Sequence, residues 1–221
     1  RNNIKIGVIL QGAETPFMKE VLKGIQEACA EVDNLGGTVL VHKIEHQNAE
    51  DVIRAMEKMR MEEVSGIAMV PLDEESVKRE IDRFVEELRI PVVTFTSDVE
   101  DTKRLCFVGQ NGVQCGRAAA GLMGELTGGK GKVAVISGYS TNTSLSSRVT
   151  GFREEMVRKY PGIEIIGPEY CFEENGRARE ITEGIFKEVP DLDGIYLTSH
   201  GEEGVCEAIA GEGKAGQVKM V

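Results

Sequence analysis

The chain has 221 residues and a formal net charge of −11, with 26 Lys and Arg against 37 Asp and Glu. That balance argues against nucleic-acid binding by this segment, since phosphate contacts need clustered Lys and Arg, although a separate basic module upstream stays open. A hydrophobic content of 41% fits a soluble globular protein, and no apolar run approaches the roughly 18 residues of a membrane span.

Periodicity then predicts strands and helices in regular alternation. IKIGVIL (4–10) reads as a strand, and Phe17, Val21, Ile25, Ala28 and Val32 recur at helical spacing. TVLVHKI (38–44) is the next strand, and Val52, Ala55, Met56 and Met59 mark the following helix. GIAMVP (66–71) leads to a helix with Val77, Ile81, Phe84 and Leu88 inward, then to PVVTF (91–95). LCFVG (105–109) is a short strand before the small-residue helix 112–126. Strand KVAVIS (132–137), helix 146–160, strand IEIIG (163–167), helix 177–189, strand GIYLTS (194–199), helix 202–210 and strand QVKMV (217–221) complete the chain. Strands apolar on both faces and joined by helices predict an α/β protein whose parallel sheets are covered on both sides.

GIAMVPLDEESV (66–77) and GIYLTSHGEEGV (194–205) share Gly-Ile, a Glu-Glu pair and a Val at the same offsets. The echo predicts two similar lobes, 1–105 and 106–221, divided near the acidic turn DVEDTKR. In open parallel sheets ligands bind beyond the carboxyl ends of the strands. Here those ends are polar: Gln11 to Pro16, Pro71 to Glu75, the tail of IPVVTFTSD, Ser137 to Ser147, and Thr198 to Gly201. A cleft between two lobes would gather them, while each taken singly also reads as an ordinary loop. The five cysteines, Cys29, Cys106, Cys115, Cys171 and Cys206, form no CxxC pair, which points to reduced thiols and a cytoplasmic location.

Enzyme signatures do not assemble, and no cofactor is expected. LQGAETPF lacks the glycine loop of a dinucleotide site, GGKGK (128–132) precedes a strand and reads as a turn, and no GxSxG elbow occurs. His42 and His46 share a strand face without a carboxylate cluster, so surface or satisfied histidines are favoured over a metal site.

In order and spacing, IGVIL with TPF and KGI, GIAMVPLD, IPVVTF, VGQNGVQCGRAAAGLM, RVTGF and PDLDGIYLTSH resemble the type I periplasmic-binding-protein fold. That fold is shared by ribose-binding proteins and the effector domains of lactose-repressor-family regulators, and the resemblance covers essentially the whole chain. It implies a small polar ligand, a sugar or sugar derivative, held between the lobes and favouring their closure.

Carried over residue by residue, Thr15 and Phe17 stand in the family's Asn-Pro-Phe-Phe element, with a core position for Phe17 equally open. Thr96 occupies the place of a family Asp, for which Asp98 is the expected substitute. Arg148 falls where repressor-like relatives place an effector-binding arginine, against the alternative of a solvated helix face. Ser199 and His200 replace the Asn-Asp that follows the family's Thr, which puts ribose itself in doubt.

The resemblance, with the cysteines, leads to a transcription regulator's sensor as the expected role, working as a homodimer and reaching DNA through an upstream helix-turn-helix domain. A substrate-binding protein of a sugar importer is the alternative. The chain opens almost directly on a strand pattern and stops on a strand where the family makes a further crossing. A removed upstream segment and a truncated C-terminus are therefore expected.

Overall fold

Residues 4–12, 14–44 and 48–221 are described by the structure, a computed structural model. The chain divides into two units between Gly109 and Gln110. The first contains β1 (Lys5–Gln11), α1 (Pro16–Asn34), β2 (Thr38–Ile44), α2 (Ala49–Met61), β3 (Gly66–Met69), α3 (Glu75–Glu86), β4 (Val92–Phe95) and β5 (Cys106–Val108). The second contains α4 (Gly112–Thr127), β6 (Lys130–Ser137), α5 (Thr143–Lys159), β7 (Gly162–Tyr170), α6 (Asn175–Glu188), β8 (Gly194–Leu197), α7 (Glu202–Gly211) and β9 (Lys219–Met220).

In the first unit the strands run parallel in the order β2-β1-β3-β4-β5. Alternate side chains of one strand feed two cores, as a pleated strand requires. Ile9 packs with Ile67, Met69 and Val92 under α2 and α3, while Val8 and Leu10 pack with Met18 of α1 and Val70. The expected lobe boundary at 105/106 gives way to 109/110, because β5 pairs with β4 through Val93–Cys106, Thr94–Phe107 and Phe95–Val108.

The second unit repeats the plan with a parallel sheet ordered β7-β6-β8-β9. Ala134, Ile136 and Ile195 face α6 and α7; Val133, Val135 and Tyr196 face α4 and α5. Phe152 stacks on Tyr196 with ring centroids 4.3 Å apart and is fully buried. Truncating such a ring to Ala costs about 3–5 kcal/mol.

Helices α4 and α5 approach closely because glycines meet at the crossing. A Cβ on Gly116 would lie 2.0 Å from the Arg148 carbonyl, and one on Gly151 2.1 Å from that of Val113. This contact sets where α5 carries Arg148. The GGKGK stretch is a turn entering a strand: Gly128 and Gly129 take left-handed φ values after α4, and β6 starts at Lys130.

Candidate functional site

Each sheet has a point where strand order reverses, β1 beside β3 in the first unit and β6 beside β8 in the second. Ligands of open α/β sheets settle beyond such points. In both units a polar residue closes the central strand and bonds across to the neighbouring strand's end. Gln11 Nε2 donates to the Val70 carbonyl at 2.6 Å, and the Ser137 and Thr198 hydroxyls share a 2.8 Å bond. Gln11, Ser137 and Thr198 are all buried.

In the second unit α5 delivers Arg148 to this strand end. Its Nη1 donates to the Thr198 carbonyl at 2.7 Å and Nη2 to Gln110 Oε1 at 3.1 Å, while Nε is buried without a partner. Arg148 makes no ion pair among the described residues. The Ser199 hydroxyl is likewise buried without a hydrogen bond. His200 is turned toward Glu202, Nδ1 lying 3.0 Å from Oε2. Burial pushes the Tyr196 hydroxyl, beneath this site, up to about 12.

The segment after β7 completes the cluster. Cys171 and Phe172 donate their amides to the Ser137 and Gly138 carbonyls, at 2.8 and 3.2 Å. The backbone then turns through two left-handed residues, Phe172 at φ 55° and Glu173 at φ 61°. Such conformations cost about 1–2 kcal/mol each for residues with a Cβ. The turn brings Glu173 over Gly138, where an added Cβ would stand 2.8 Å from both Glu173 Cγ and Ser199 Oγ. With Leu145 Cδ1 at 2.9 Å from the same point, only glycine fits there. Burial raises the Glu173 carboxyl above its ordinary value, an effect His200 partly offsets. Tyr139 packs on Phe172 at 5.5 Å, and burial, then the Glu173 charge, raise its hydroxyl. A cavity of about 280 Å³ adjoins Ser137, lined also by Ser146, Thr150, Arg153 and Tyr170.

The sequence-predicted residues fall into three places. Arg148, Ser199 and His200 come together around the end of β8. Thr15 and Phe17 sit after β1: Thr15 caps α1, accepting from the Met18 amide at 3.3 Å and donating to the Gly12 carbonyl at 3.1 Å. Phe17 is 62% exposed, which removes the core alternative. Asp98 is engaged within its own unit, accepting from Thr94 Oγ1 at 2.7 Å and from Arg104 Nη2 at 2.5 Å. His42 lies on β2, its imidazole lowered by burial and then by Lys58; His46 lies outside the described residues. Among the described residues no three His, Cys, Asp or Glu cluster as a metal site would need.

Sequence reasoning missed Glu173, Tyr139 and Gln110 as members of the site. Tyr139 lies in a strand-end segment that reads as polar, but nothing in the sequence marks Glu173 as folding back.

A profile of the periplasmic binding protein domain family matches residues 6–221. The chain is 21% identical over 217 residues to the ribose import binding protein of Bacillus subtilis, a match covering 97% of this chain and 68% of that protein. It is 27% identical over 180 residues to the D-ribose/D-allose-binding protein of Pseudomonas aeruginosa, covering 76% of this chain and 54% of that one. In fold it resembles the glucose-galactose binding protein of Geobacillus stearothermophilus, with a TM-score of 0.90 at 24% identity over 100% of this chain and 77% of that structure. With two doubly covered parallel sheets and a profile match over nearly its whole length, the chain belongs to the periplasmic binding protein domain family in its type I, two-lobed α/β form.

Proposed function

We propose that this chain binds a small sugar and acts as the substrate receptor of a sugar import system. One observation carries the sugar-binding reading. At the end of β8 the buried Arg148 Nε and Ser199 Oγ lack protein partners, beside the buried hydroxyls of Ser137 and Thr198. Buried polar atoms are nearly always hydrogen-bonded, and a hydroxyl-rich ligand supplies both donors and acceptors. The import role takes its support from the relatives, which are sugar-binding proteins, one of them named for ribose import. It replaces the regulator's sensor as the leading reading.

The regulator reading keeps one specific observation in its favour: all five cysteines are free. The coding sequence ahead of Arg1 separates the two roles, a signal peptide meaning receptor and a helix-turn-helix meaning regulator.

Titration calorimetry with D-ribose, D-allose, D-glucose and D-galactose tests the binding itself. Arg148→Ala is expected to weaken the bound sugar by about 1.5–3 kcal/mol, the range for a hydrogen bond to a charged group. A sugar held equally well by Arg148→Ala places the site elsewhere. If neither these four nor their amino derivatives bind, the sugar reading fails.

A further inference from the structure

We propose that the ligand is a sugar bearing a protonated amine, and that Glu173 is the residue that selects it; this rests on the sugar-binding reading above. Glu173 stands without a protein partner. Among the described residues its side chain makes no hydrogen bond and no ion pair. His200 is the one group that favours its ionised form, and its Nδ1 already faces Glu202 at 3.0 Å. Arg148 spends its two Nη atoms on the Thr198 carbonyl and Gln110 Oε1. A half-buried carboxylate without a partner is disfavoured, and a ligand cation relieves that.

The surroundings suit an ammonium group. Glu173 Cγ and the partnerless Ser199 Oγ both press on Gly138, each 2.8 Å from where a Cβ there would stand, so an acid and a hydroxyl acceptor lie side by side at the strand end. An ammonium has three donors and no acceptor, which matches two oxygen acceptors better than a sugar hydroxyl does. Tyr139 and Phe172, packed at 5.5 Å, add aromatic faces beside the carboxylate, and such faces attract cations. Phe172 is 47% exposed, so its ring remains available to a ligand. Burial also disfavours the Glu173 charge in the free protein, a penalty that an incoming cation relieves.

Calorimetry on the full chain with D-glucosamine, D-galactosamine, their N-acetyl forms and the parent hexoses tests this directly. The amines should bind at least tenfold more tightly than the parent hexoses, and the N-acetyl forms, larger but uncharged, should lose that advantage. Glu173→Gln should remove the preference while melting no lower than wild type. Wild type binding hexose and amine alike, or Glu173→Gln keeping the preference, overturns the proposal and leaves sugar binding intact. Absence of binding by every sugar overturns both.

Discussion

Glu173 holds its charge at a cost that depends on pH. Its ordinary value is 4.5, and burial raises the folded-state value above that. The folded protein therefore keeps the proton to higher pH than the unfolded chain. No penalty exists below 4.5; stability falls as pH rises from there through the folded value, and the loss is then constant. Glu173→Gln should thus be more stable than wild type in urea at about pH 7.5, the gain vanishing near pH 4. Equal stability at both pH values would mean that solvent reaches the carboxylate.

Asp98 belongs to the opposite class. Its carboxylate ties Thr94 and Arg104 together, so Asp98→Ala should cost about 1–3 kcal/mol of stability by stranding a part-buried guanidinium. Sugar affinity should stay near wild type, and calorimetry beside urea unfolding separates the two outcomes. The reverse pattern would make Asp98 a ligand contact.

At this scale legibility was uneven. Arg148 was singled out by resemblance to repressor-like relatives, and α5 carries it to the end of β8. Glu173 was not, because Glu-Glu after Cys-Phe reads like any solvated helix start. Two consecutive left-handed residues without a glycine leave no mark in sequence.

Among the elements, the strands were readable because parallel strands buried on both faces are nearly continuous apolar runs. β7 outran its expected end at Gly167: pairing resumes past a register shift between Ala134 and Ile136 and continues to Tyr170. Pro168 is tolerated there because β7 is an edge strand beside an irregularity.

The glycines of α4 were legible only as small residues; their separate duties are structural. Gly121 has nothing within 4 Å of an added Cβ, whereas Gly116 abuts the Arg148 carbonyl. Gly121→Ala should stabilise by about 0.5–1 kcal/mol through helix propensity. Gly116→Ala should destabilise by about 1–3 kcal/mol, as overpacking does, and should also weaken sugar binding by moving α5. Urea unfolding of the pair reads the opposed signs; the same sign for both would mean that the helix crossing yields freely.

Over the whole molecule, the echo between 66–77 and 194–205 has a physical counterpart. Gln11 reaching Val70 and Ser137 reaching Thr198 are the same cross-strand tie at the same place in two sheets. Repetition was visible in sequence because the β3 and β8 segments keep Gly-Ile and Glu-Glu. The ligand's chemistry was not, since it depends on which polar atoms are left without partners after folding.

The central claim is that a sugar sits at the strand ends of the second unit. Hydrogen–deuterium exchange of the full chain, with and without the tightest-binding sugar of the panel, tests it most directly. The account predicts slowed exchange at 137–140, 171–174 and 198–201. Binding seen by calorimetry with unchanged exchange in all three segments would contradict it.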